Sequence, residues 1–208
     1  MKNLILLILT TIFIIPNSYS QDCVEEKNVY EFNYRGRVLE FIYEMKTWEE
    51  AFECALDRGG HLVYVNTEEE NSRLIEYLTI ELNDVKGIDL VDDDVSTKQN
   101  IWIGGAGSKT VWYWKNRDKD SGLPIELFFY KGTGKLGAND GVKLQSRYSN
   151  WGGSNGELYY PKGLQGDGPV DGIAITLDTY YTQPGNIIIA SEGQWINLDP
   201  MEKHYFIV

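Results

Sequence analysis

The run Ile101-Trp102-Ile103-Gly104-Gly105 constrains this chain more than any other stretch. Bulky β-branched and aromatic residues suit a pleated surface packed on a core, so Ile101 to Ile103 reads as a buried strand. Paired glycines allow backbone angles that other residues resist, so Gly104-Gly105 reads as its break. Two aromatic runs answer it downstream, Val111-Trp112-Tyr113-Trp114 and Tyr148-Ser149-Asn150-Trp151-Gly152-Gly153. Trp112 and Trp114 share one strand face, because side chains alternate with period two.

Upstream the pattern changes. Val29 to Tyr43 alternates apolar and polar around Arg35-Gly36-Arg37 and reads as a hairpin. Thr47 and Glu50 have capping-box spacing, and Trp48, Ala51, Phe52, Ala55 and Leu56 then recur at helical period. Gly59-Gly60 closes that helix, and His61 to Val65 reads as a short strand. Thr67 and Glu70 repeat the capping box before a second helix that buries Leu74, Ile75, Leu78 and Leu82. Residues 81–100, with Asp92-Asp93-Asp94 at their centre, read as a solvated acidic loop. Residues 131–141 and 150–172 are glycine-rich and irregular. Late strands are expected at Gly172–Leu177, Gln194–Ile196 and Tyr205–Val208. Helices followed by short strands and long loops make an α+β pattern.

In this order the residues resemble a C-type lectin-like domain. The resemblance is carried by Lys46-Thr47-Trp48-Glu49-Glu50-Ala51, Cys54, Gly59-Gly60-His61-Leu62-Val63, Glu70-Asn71, Trp102-Ile103-Gly104, Trp112-x-Trp114, Tyr148-Ser149-Asn150-Trp151, Gly193-Gln194-Trp195 and His204-Tyr205-Phe206-Ile207-Val208. It covers residues 29–208. It implies two helices packed on small antiparallel sheets, long irregular loops, and paired N- and C-terminal strands. Its matched residues are mostly fold-makers, so it speaks to architecture more than to ligand.

Residues 1–20 read as a secretory leader: Lys2, an apolar run from Leu4 to Ile15, then Ser18-Tyr19-Ser20 before Gln21. That run is shorter than the ~20 residues a membrane span needs, and residues 21–28 form a polar arm. A secreted, periplasmic or cell-surface protein without membrane insertion is expected. The formal charge of −12 argues against nucleic acid, whose phosphates demand Lys and Arg. Export permits a disulfide. The two cysteines, Cys23 and Cys54, can pair within the chain only with each other; the alternative is two free thiols. The resemblance would pair the helix cysteine near the C-terminus, but Val208 occupies that place and Pro200 that of another family cysteine.

The resemblance also implies a ligand region. Sugar-binding members hold calcium with a triplet after Asn-Trp and an Asn-Asp pair after the late tryptophan. The triplet maps to Asn155-Gly156-Glu157, without its proline, and the pair to Ile196-Asn197. Asp167, Asp171 and Asp199 add carboxylates nearby, and Tyr159 and Tyr160 offer aromatic faces. The expected ligand site is therefore Asn155, Glu157, Tyr159, Tyr160, Asn197 and Asp199. The expected metal set is Asn155, Glu157, Asp171 and Asn197, with Ca2+ possible but no cofactor required. Asn116-x-Asp118-x-Asp120 resembles a calcium loop, but Ser121 and Leu127 stand where its glycine and glutamate belong.

No catalytic site is expected. His61 and His204 are the two histidines, and no Gly-x-Ser-x-Gly or His-Glu-x-x-His motif occurs. Carboxylate pairs could serve glycoside hydrolysis, yet 31 acidic residues make chance pairs inevitable. The related formylglycine-generating enzymes act through C-terminal cysteines that this chain lacks. The partner is then a glycan, or a cell-surface protein bound without metal, with hydrolysis a distant third reading.

Overall fold

The computed structural model describes residues 23–88, 90, 100–108, 110–132, 142–144, 147–152, 161, 170–181 and 188–208. Strands β1 (Val29–Tyr34) and β2 (Arg37–Lys46) form the expected hairpin. Its two-residue turn has positive φ at both Arg35 (48°) and Gly36 (78°), the twist that suits a tight hairpin. Helix α1 (Trp48–Asp57) carries the full capping box, with Thr47 and Glu50 bonded reciprocally. The Pro200 carbonyl accepts from Trp48 N at 2.9 Å and satisfies another free amide at that end.

At helix α2 (Glu68–Glu76) only half of the expected box forms. Thr67 Oγ accepts from Glu70 N, but the Glu70 carboxylate takes Asn66 N instead of Thr67 N. Its other oxygen accepts from Arg37, so a tertiary ion pair redirects the side chain. The helix continues through a π turn (Tyr77–Glu81) into α3 (Leu82–Lys86). Residues 81–100 are thus not wholly a solvated loop, since Leu82, Ile88 and Leu90 are buried. The Asp92–Asp94 run lies outside the described residues.

The remaining strands are β3 (Asn100–Ser108), β4 (Val111–Arg117), β5 (Pro124–Lys131), β6 (Val142–Lys143), β7 (Asp171–Thr176), β8 (Tyr180–Tyr181), β9 (Ile188–Ala190), β10 (Trp195–Leu198) and β11 (His204–Ile207). Nine of the eleven strands join in one sheet, ordered β1-β2-β11-β3-β4-β5-β6, with β7 pairing β3 and β10; β8 and β9 pair separately. The architecture is α+β, and the terminal strands close it as expected: β11 runs antiparallel to β2. Glu40 and Val208 exchange backbone hydrogen bonds at 3.0 and 2.9 Å. β11 also runs parallel to β3. The sequence does not signal β5, because Pro124–Lys131 carries no clean apolar–polar alternation.

Gly104-Gly105 does not break β3. The strand runs on to Ser108, and its register against β7 shifts between Ile103 and Ala106, so the glycines mark a bulge. Close approach explains them. A Cβ on Gly104 would stand 2.5 Å from Leu62 O, and one on Gly105 2.4 Å from Ile173 Cδ1. His61 to Val65 forms no ladder strand. Val63 instead makes two backbone bonds, donating to Ile207 O and accepting from Gly104 N.

All six tryptophans are buried in one hydrophobic core. Cys23 and Cys54 form the disulfide, with Cα atoms 5.4 Å apart. The arm is not merely polar, since it carries buried Val24 against the core. Among the described residues no helix is long and apolar enough to cross a membrane.

Candidate functional site

Trp195, the first residue of β10, holds the segments that flank the long stretch 153–170. Its backbone N donates to Asn150 O at 2.7 Å, and its carbonyl accepts from Gly152 N at 2.9 Å. Trp151 thereby bridges to it in parallel. The indole is enclosed by Trp114, Phe129, Tyr148 and Trp151, at centroid distances of 5.5, 5.9, 5.5 and 6.0 Å. Burial pushes the Tyr148 phenol up to about 12, with the Glu68 carboxylate adding to the effect.

A second layer fixes the indole from below. Trp195 Nε1 donates to Asn71 Oδ1 at 2.9 Å, and Asn71 Nδ2 donates to Gly193 O at 2.9 Å. Asn150 Nδ2 reaches the same carbonyl at 2.8 Å. Gly193 takes φ 78°, and a Cβ there would stand 3.1 Å from Asn71 Nδ2. In the sequence Asn71, Asn150 and Gly193 stand as motif residues with nothing to link them. The links span 122 and 43 residues, and no local pattern reports such a contact.

The other end of the stretch meets the same strand. Asp171 is not a loop carboxylate but the buried first residue of β7. Its Oδ2 accepts from Asn197 Nδ2 at 2.6 Å, and the side chains are 1% and 0% exposed. Both ends of residues 153–170 are therefore tied to β10, at Trp195 and at Asn197. Two of the expected site residues, Asp171 and Asn197, come together here. Asp199 lies beyond the strand, in the turn to β11, where Oδ1 accepts from Met201 N at 3.0 Å. Asn155, Glu157, Tyr159, Tyr160 and Asp167 lie outside the described residues.

Asn197 turns its amide nitrogen, not its oxygen, toward Asp171. Ile196 is buried. Among the described residues no three His, Cys, Asp or Glu side chains converge as a metal group. Asp118, in the sequence with a calcium-loop look, spends Oδ1 on Ser121 N and Oγ at 2.8 and 2.6 Å. His61 stacks on Tyr64 at 4.1 Å, and His204 is buried edge-on to Trp102 at 4.7 Å.

The chain is similar to killer cell lectin-like receptor subfamily F member 1 of Macaca fascicularis, at 25% identity over 118 residues. That match takes in 56% of this chain and 42% of the receptor, so the chain spans less than half of that relative's length. Similar solved structures include the mouse scavenger receptor C-type lectin carbohydrate-recognition domain, at 18% identity, 85% and 92% coverage of the two chains and TM-score 0.45. CEL-IV shows 15% identity, 85% and 88% coverage and TM-score 0.46. Human lithostathine shows 20%, 85% and 93%, and 0.43. No family model matches the chain. The resemblance to C-type lectin-like domains thus holds in sequence, and the chain's own two leading helices and paired terminal strands have the layout it implies.

Proposed function

We propose that this chain is a secreted lectin-like binding module that recognises glycans through residues 150–172 with Asn197 and Asp199. One observation carries the reading: Trp195 and Asn197, on one buried strand, tie down both ends of that stretch. A fixed scaffold beneath a long connecting segment is a common build for binding sites. In this reading Asn155, Glu157 and Asp199 supply polar contacts, and Tyr159 and Tyr160 stack on sugar rings. The Asp171–Asn197 hydrogen bond supports the segment from within, so calcium is bound weakly or not at all. Catalysis has no place in the reading, because both histidines are packed against aromatic rings. Cleavage after Ser20 and export fit the Cys23–Cys54 disulfide.

A second reading, a metal-free adhesion module for a cell-surface protein, is favoured by exposed Leu123, Leu127, Phe128 and Val142 on and beside β5 and β6. Phe128 lies edge-on to Tyr113, ring centroids 5.7 Å apart, and offers a half-exposed aromatic face to a partner. A glycan array, run with and without chelator, separates the two. Binding that survives chelator and is lost in Tyr159→Ala/Tyr160→Ala supports the glycan reading. An empty array with retained cell-surface binding that Phe128→Ser abolishes supports the second. Full glycan affinity in the double tyrosine variant would move the site elsewhere.

A further inference from the structure

A cleft of about 360 Å3 opens between the last turn of α1, the glycine turn after it and the β4–β5 turn. That volume lies inside the ~300–1,000 Å3 range of small-molecule sites. Its walls are already held in place. Arg117 grips Glu53 with two hydrogen bonds, of 2.8 and 2.5 Å. The β4–β5 turn is pinned by Asp118 on Ser121. The His61 ring lies flat on Tyr64, and Nδ1 stands 2.8 Å from Leu62 O. A carbonyl only accepts, so Nδ1 carries a proton, and in the uncharged ring that leaves Nε2 as an acceptor. Gly59 and Gly122 leave open space where side chains would stand, so the backbone itself is reachable.

The lining narrows the ligand. Leu56 is its one large aliphatic side chain, which gives an apolar ligand little to bury. Carboxylates (Glu53, Asp57, Asp118) and cations (Arg117, Lys119) share the rim, so neither a polyanion nor a polycation is matched. No three side chains converge as a metal group among the described residues. The Asp57 and Lys119 side chains make no hydrogen bond or ion pair with another described residue, and His61 Nε2 has no described partner either. Acceptors and a donor spread around a shallow cleft suit a ring that carries both on its hydroxyls.

We propose that this cleft is a second ligand site, and that it takes a neutral polyhydroxylated ring, a saccharide or cyclic polyol. Asp57 and His61 accept from ring hydroxyls, and Lys119 donates to them. The cleft lies at one end of β4. At the other end Trp112 packs on Trp151 at 5.1 Å, beside the long segment. Six residue steps of extended chain separate the ends by about 20 Å, so the two sites are distinct. A domain with a site at each end can bridge two glycans.

Amide chemical shifts of the whole exported chain test this, with mannose, galactose, N-acetylglucosamine and myo-inositol titrated separately to high millimolar concentration. At least one probe should shift the amides of Gly59, Gly60, His61 and Asp118–Gly122. Asp57→Ala/Lys119→Ala should weaken that binding by about tenfold or more, and Asp57→Asn by less. Both variants are at solvated positions and should keep the parent spectrum elsewhere. No shift at those amides with any probe, or shifts that the double variant leaves unchanged, would overturn the proposal. The same spectra report Ser149–Gly152 and Asn197–Asp199, so failure of the long-segment site is read separately.

Discussion

Single side chains in this domain do their work by long-range contact. Trp102 is wholly buried, donates from Nε1 to Lys46 O at 3.0 Å and packs edge-on to His204. Trp102→Ala removes that packing and leaves a cavity, so it should cost about 3–5 kcal/mol. Chemical denaturation checks this, with ligand binding per folded molecule unchanged. Asn71 stands on a helix yet serves β10. Asn71→Ala leaves Trp195 Nε1 buried without its acceptor, a loss of about 1–3 kcal/mol. The near-ultraviolet tryptophan spectrum should change with it. A variant as stable as the parent would show that Asn71 is not the keystone of this layer.

At the scale of elements, charge ties α1 to its surroundings. Glu50 is held below the usual carboxylate value chiefly by its bond from Thr47 N, and Glu53 by its bond from Arg117. A depressed carboxylate adds stability that is complete above its unfolded pKa and lost as pH falls through its folded one. Both groups are solvated, so the effect is modest. The melting temperature should therefore fall as pH drops from about 5 toward 2. Glu50→Gln keeps an oxygen for Thr47 N but cannot titrate in that range, so its fall should be shallower. An identical slope in the variant would remove the cap from the account. The redirected Glu70 carries the same lesson: a capping sequence is satisfied locally only when no stronger partner, here Arg37, competes for the carboxylate.

The whole molecule is held by a sheet in which the N- and C-terminal strands pair, with one covalent tie. Cys23–Cys54 links residues 31 apart. Closing such a loop restricts the unfolded chain, and a disulfide of this kind typically contributes about 2–4 kcal/mol. Cys23→Ser/Cys54→Ser should lose that much and still fold, because the tryptophan core does not depend on the arm. Circular dichroism before and after heating reads both outcomes, and a variant that is unfolded at room temperature would contradict it. The last strand is held to the core by its pairing with β2 and β3. Val208 is held there by paired backbone bonds to Glu40.

The sequence by itself determined the elements whose causes are local. The tight hairpin at Arg35-Gly36, the cap and apolar stripe of α1, and the buried run at Ile101–Ile103 are written in neighbouring residues. So was the possible pairing of Cys23 with Cys54, since two cysteines leave one partner each. Tertiary structure decided the rest, because its causes are contacts between distant residues. Gly104-Gly105 became a bulge and not a break because Leu62 and Ile173 press on that strand. Asp171, expected as a loop carboxylate, became a buried partner of Asn197. Asn71 met Trp195 across 124 residues. A local pattern records what a segment prefers, but which side chains meet depends on how the sheet brings β7, β10 and the helices together.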